Sequence, residues 1–222
     1  MAKFFNKISS TVLLDIDTQY DMLPSSSACR KDLLLKWRRI MAWGRLFRVP
    51  VISLAFTSRE DDNLLGEQMC VENTPGHEKV GYTMLSNHRR YSAEHSLDLL
   101  PDILERYRQV IFERREFDPF LCDRFERLVN NFPFNHYIMF GGAFEESIKL
   151  AGLGLLSRNK HVTLLKDATA SIFDSEYDYV LKKLQAKGVM MVKTYPFTSM
   201  SPNGKPILKP GNSGRAIYQD YK

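Results

Sequence analysis

The chain has 222 residues, 44% hydrophobic and 26% charged, which suits one globular α/β domain with a full core. Its formal charge of +5 comes from basic residues scattered among acidic ones, so solvated helix faces account for it and nucleic acid is not an expected partner. No apolar run is long enough to cross a bilayer, and the three cysteines Cys29, Cys70 and Cys122 show no disulfide or metal spacing, so a reducing, cytoplasmic setting is expected.

Lys3 and Lys7 are followed by an apolar segment interrupted by Asp15 and Asp17, which argues against a secretory signal. Thr11–Ile16 reads as a short, buried parallel strand. Ser25–Ser27 offer N-caps for a helix reaching about Phe47. Leu33, Trp37, Ile40, Met41 and Gly44 recur at helical spacing and form the stripe that should face a sheet. Arg30, Lys31, Lys36, Arg38 and Arg39 lie mostly elsewhere on that helix. Pro50 ends the connection, and Val51–Phe56 is the second strand.

Residues 57–107 read as a long irregular connection with a turn at Asn73–Gly76 and a short helix near Leu99–Tyr107. A connection of that size is commonly functional or builds an oligomer contact. Gln109–Phe112 is the third strand, Phe120–Asn130 a helix and His136–Phe140 the fourth strand. A helix follows from Ala143 to about Ser157, then a fifth strand at His161–Leu165. The last long helix spans Ser175–Lys187, and Val189–Thr194 is a sixth strand. This alternation predicts a three-layer, doubly wound, mainly parallel sheet of about six strands with helices on both faces. Residues 1–195 form the single domain, and 196–222, rich in proline and glycine, should be an extended tail, loose or laid on a neighbouring subunit.

The most informative stretch is Tyr137–Ile148, an apolar strand that runs through Gly141 and Gly142 directly into a helix. Such a turn presents side chains and free N–H groups at the carboxyl edge of a sheet, where α/β folds place their sites.

Four blocks in register resemble the isochorismatase-like hydrolases, the family that includes nicotinamidases. They are Leu13–Asp21 with Asp17 and Gln19, Cys70–Lys79 with Thr74-Pro75-Gly76, Val110–Phe120 with Arg114 and Phe117, and Gly141–Ser171 with Ser147. The resemblance implies a catalytic triad of aspartate, lysine and cysteine, here falling on Asp17, Arg114 and Ser147. It implies a pocket at Gln19, Phe56, Met69, Gly142, Ala143 and Phe117, no cofactor and a homo-oligomer. In the family's chemistry the aspartate takes the thiol proton, the thiolate attacks an amide carbonyl, and helix-start N–H groups hold the oxyanion. A serine hydroxyl surrenders its proton far less readily than a thiol, and arginine neither gives nor takes one near neutral pH. Glu145 and Glu146 add negative charge to the turn that would hold the oxyanion.

Some members bind a metal through an aspartate and two histidines. Those positions read Phe56, Ser58 and Met69, so no metal is expected, and the five histidines show no other ligand spacing. Cys70 aligns with a loop cysteine and has no base assigned to it. The expectation is therefore an isochorismatase-family fold with an altered triad, lacking cysteine-hydrolase activity. It would act in small-molecule binding, with a small anion or amide as ligand, or in protein interaction. One alternative is an active hydrolase of small amides or esters with Ser147 as nucleophile. A second is nucleic-acid binding through the basic loop 88–90 and the helix at 30–39.

Overall fold

A computed structural model describes residues 10–62, 68–172, 175–202, 204, 205 and 207 of the chain. Seven strands are β1 (Thr11–Ile16), β2 (Val51–Phe56), β3 (His88–Tyr91), β4 (Gln109–Arg114), β5 (His136–Gly141), β6 (His161–Thr169) and β7 (Met190–Val192). The α-helices among the described residues are α1 (Ser27–Leu46), α2 (Ile103–Arg106), α3 (Asp123–Asn131), α4 (Lys149–Ser157), α5 (Tyr177–Ala186) and α6 (Thr194–Thr198). The strands form one sheet in the order β3-β4-β2-β1-β5-β6-β7, and every pairing is parallel.

Side chains alternate between the two faces of each strand, so the sheet builds two cores. Val12, Leu14 and Ile16 of β1 join Phe112, Phe125, Leu128, Leu155 and Leu184 under α3, α4 and α5. Leu13 joins Trp37, Ile40, Met41, Ile138 and Phe140 under α1. The predicted α1 stripe is buried as spaced, and Gly44 sits where a Cβ would come within 2.6 Å of the Leu13 side chain. Ser26 is the N-cap of α1, although its side chain makes no capping hydrogen bond.

The strand count exceeds the expectation by one, because residues 88–91 are β3 and not a solvated loop. Three of its four side chains are polar, so no apolar alternation marks it. Pairing with β4 and burial of Tyr91 hold it at the sheet edge. The segment from Pro196 also differs from its reading. Phe197, Met200 and Ile207 pack back on the same chain, with Phe197 against Trp43 at 4.7 Å and the Trp43 indole donating to the Met200 carbonyl at 2.6 Å. The rest of the tail, 208–222, and the lysines at 3 and 7 lie outside the described residues.

Asp15 is the residue that the apolar reading of β1 passes over. By strand parity it points, like Leu13, toward the α1 face, where a lone carboxylate would be prohibitively desolvated. Lys79, from the long connection, meets it at 2.8 Å, and both side chains are fully buried. Thr18 and Ser53 donate to the two Asp15 oxygens at 2.7 and 2.8 Å, and Lys79 also donates to Thr18 at 2.6 Å. Gln109 extends the network by donating to Ser53 and to the Thr83 carbonyl, both at 2.8 Å. The connection is thus pinned into the core of β1, β2 and β4.

Two measurements follow from these buried groups. Lys79→Met leaves an uncompensated carboxylate and is expected to cost about 3–5 kcal/mol in urea unfolding. The double variant Asp15→Val/Lys79→Met should recover most of that loss, and a double variant as unstable as the single would contradict the account. At the amino end of the sheet, burial and then His161 hold the His136 imidazole below its ordinary value of 6.5. The folded state therefore favours neutral His136, and the unfolded chain binds more protons as pH falls. Its contribution is full above about 6.5 and declines below that value. The urea midpoint should drop between pH 7.5 and 5.5, and His136→Gln should flatten that drop.

Candidate functional site

The site is assembled where β1, β4 and β5 end. Gly141 and Gly142 make the approach possible. A Cβ on Gly141 would lie 1.7 Å from the Ile16 carbonyl oxygen, and one on Gly142 would lie 2.6 Å from that of Asp17. With no side chain in the way, the Gly142 N–H donates to the Ile16 carbonyl at 2.7 Å, and the ends of β1 and β5 are drawn together. The backbone then leaves ordinary territory at two neighbouring residues: Asp17 has φ 47° and Ala143 has φ 48°, both in the left-handed region. The turn that follows, Phe144–Ile148, is a π-helical turn leading into α4, a distortion common at functional sites.

These features bring Asp17, Arg114 and Ser147 together. Arg114 Nη2 donates to both carboxylate oxygens of Asp17 at 2.8 and 2.7 Å and to the hydroxyl oxygen of Ser147 at 2.9 Å. Its Nη1 donates to the Glu116 carbonyl. All three residues are buried, none more than 3% exposed. One guanidinium nitrogen thus occupies both oxygens of the would-be base and a lone pair of the would-be nucleophile.

The residues expected to line a pocket pack together above this network. Phe56 and Phe117 stack at 4.7 Å with 9° between their planes, and the Arg114 guanidinium lies 5.9 Å from the Phe56 ring. Met22, Cys70 and Ala143 complete the cluster, with Met69, Phe117 and Ile172 against it. Gln19 holds the frame: it donates to the Phe56 and His77 carbonyls at 2.7 and 2.8 Å and accepts from the Phe56 N–H at 2.8 Å. Burial, reinforced by Asp17 and Asp21, pushes the Cys70 thiol far up, and its N–H is capped by Asp21 at 2.8 Å. A neutral, enclosed thiol is no nucleophile.

Glu145 does not face the position of an oxyanion. It is buried, accepts from the Ser171 hydroxyl and accepts from the Ile172 N–H at 2.9 Å. Glu146 lies 3.5 Å from Lys149. The three positions where a metal would be held do not fit one. Phe56 offers only its ring, the Ser58 hydroxyl donates to the Met69 carbonyl at 2.6 Å, and the Met69 side chain joins the apolar cluster. Among the described residues no three His, Cys, Asp or Glu side chains are grouped to hold an ion.

An open cleft of about 580 Å³ lies to one side, its walls including Arg59, Glu72, Arg114, Arg115, Glu116 and Cys122. Of the triad positions only Arg114 reaches it. The sequence carried a partial signal for this cleft, since Arg115 lies beside the triad position, but Arg59 and Cys122 are assembled only by the fold.

The comparisons with known proteins bear on this geometry. No curated protein sequence matches the chain. Among solved structures, a ribonuclease of Caenorhabditis elegans superposes with a TM-score of 0.57 at 14% identity, covering 85% of this chain and 79% of that one. A zinc-bound pyrazinamidase of Pyrococcus horikoshii gives 0.63 at 18% identity, covering 83% and 99%. An N-carbamoylsarcosine amidase of Thermoplasma acidophilum gives 0.64 at 11%, covering 83% and 96%. At these identities the likeness is one of fold. A family model, the isochorismatase domain, matches residues 11–195, nearly the whole described sheet and its helices. The chain therefore belongs to the isochorismatase family.

Proposed function

We propose that this chain keeps the family's fold but has exchanged its chemistry for binding: it does not hydrolyse amides by covalent catalysis. The observation that carries this reading is the single Arg114 nitrogen shared by both Asp17 oxygens and Ser147 Oγ. A nucleophilic attack needs a free lone pair on the hydroxyl and a base with room for its proton. Here one of the two hydroxyl lone pairs accepts from a permanent cation, which draws electron density from the oxygen, and the same cation engages both carboxylate oxygens and weakens them as a base. The stacked pair Phe56 and Phe117 lies over the site with Met22 and Met69 beside it.

What remains is a rigid α/β body suited to small-molecule recognition or protein interaction. The lateral cleft carries Arg59 and Arg115 beside five carboxylates, Glu72, Glu94, Glu113, Glu116 and Asp123, with Glu72 on Arg115 at 2.7 Å, and it is where we place a small ligand, a neutral amide before an anion.

The purified protein should turn over nicotinamide, pyrazinamide and N-carbamoylsarcosine no faster than buffer alone, and a serine-directed fluorophosphonate should leave Ser147 unlabelled. Turnover abolished by Ser147→Ala would refute the proposal and favour the active serine hydrolase. Stability supplies an independent readout. Arg114→Met strands Asp17 in the interior and should cost about 3–5 kcal/mol. Ser147→Ala should cost about 1–2 kcal/mol through the lost hydrogen bond to a charged partner. A working site stores strain that such truncations relieve, so an unchanged or raised stability in Ser147→Ala would count against the binding-only reading.

A further inference from the structure

The net positive charge of the chain is gathered on one helix. Of 31 basic and 26 acidic residues, six and one respectively lie on α1, and the remainder balance. That excess of +5 on Ser27–Leu46 equals the formal charge of the whole protein. Elsewhere in the sequence basic residues sit among acidic ones, as in Glu113–Glu116 and Lys166-Asp167.

The solvent face of α1 does more than carry charge. Arg38 lies over the ring of Tyr82 at 5.5 Å, and Arg39 lies over the ring of Tyr195 at 5.6 Å. Tyr82 comes from the turn Gly81–Thr83 and Tyr195 from α6, and they are 49% and 60% exposed. Leu35 lies one turn before both arginines and is 57% exposed. The only acid on the helix, Asp32, is taken by Lys36 at 2.6 Å. Among the described residues Lys31, Arg38 and Arg39 have no carboxylate partner, and neither flanking segment, 81–83 or 194–198, contains an acid.

We infer that this strip, Tyr82–Arg38–Leu35–Arg39–Tyr195 with Lys31 beside it, is a binding surface for single-stranded nucleic acid. The partner must supply two things at once. Unpaired guanidinium and ammonium groups call for closely spaced anions, which phosphates provide. Exposed tyrosines capped by arginine planes call for flat, polarisable groups, which unpaired bases provide and a duplex keeps stacked away. A second copy of this chain is a poor occupant, because it would bring the same positive face. The β3 edge, which also carries two arginines, is the weaker candidate: Arg90 is paired with Glu113 at 2.7 Å. The inference does not depend on the silence of the Ser147 site, because α1 lies on its own face of the sheet.

The test uses the full chain and fluorescence anisotropy with labelled 15-mers of oligouridine and oligothymidine, a 15-base-pair duplex, and inorganic polyphosphate. Binding of either single strand is expected, tighter than the duplex and polyphosphate by at least fivefold. Its log–log salt slope should be near −2, as about three phosphate contacts give on a single strand. Arg38→Glu/Arg39→Glu should weaken binding at least thirtyfold. Tyr82→Ala/Tyr195→Ala should weaken it about tenfold with an unchanged salt slope, the signature of lost stacking. Arg89→Glu on β3 should change it less than twofold. Each side chain is at the surface, and thermal melts of the variants check that folding is intact. Absence of binding at 50 mM salt, equal binding of polyphosphate, or equal loss in Arg89→Glu would each overturn the assignment.

Discussion

The geometry of the site depends on one buried contact, Arg114 Nη2 against both oxygens of Asp17. Asp17 follows β1 in a left-handed conformation, and Arg114 ends β4 two strands away. Neither charge could be buried alone. Their union fixes the spacing of the carboxyl edge at the centre of the sheet and leaves one N–H direction for Ser147. The aromatic pair packs beside this charge-neutral pair, and Arg114 Nε is left buried with no hydrogen-bond partner among the described residues. A lysine in the same place would present a movable point charge; the planar guanidinium directs Nη2 to Asp17 and Ser147 and Nη1 to the Glu116 carbonyl. The chemistry of the site and the stability of the sheet edge are therefore set by the same atoms.

The two glycines of the strand-to-helix turn act one step earlier. They let β1 and β5 approach closely enough for Ser147 to meet residues from β1 and β4. The strained residues Asp17 and Ala143 flank this approach on either side. That strain survives in a site whose groups are now held by mutual hydrogen bonds. The fold still pays for a geometry that suits catalysis while its side chains satisfy one another.

Much of this was legible in the chain itself. β1, β2 and the α1 stripe follow from periodicity, because burial on a parallel sheet demands it. Asp17, Arg114 and Ser147 were named by the resemblance to the isochorismatase-like hydrolases; in the fold they follow β1, end β4 and sit in the turn after β5. Other features were not readable. β3 carries His88, Arg89 and Arg90, and only its pairing with β4 makes it a strand. Asp15 looked like an interruption because its partner lies across a long connection. The charge on α1 can be counted in the sequence, but that Tyr82 and Tyr195 flank it cannot, because they come from segments far along the chain. In each case the decisive information is a tertiary contact between residues far apart in the chain.

Lys79 and Asp15 show what such a contact means for descent. A carboxylate buried in the middle of a central strand tolerates no independent drift, and neither does the ammonium that answers it. With an acid at position 15 the chain requires a cation at 79, and with an aliphatic residue at 15 that requirement is lifted. A change at one position therefore demands a change at the other, and the long connection stays tethered to the central strand only while the pair is kept.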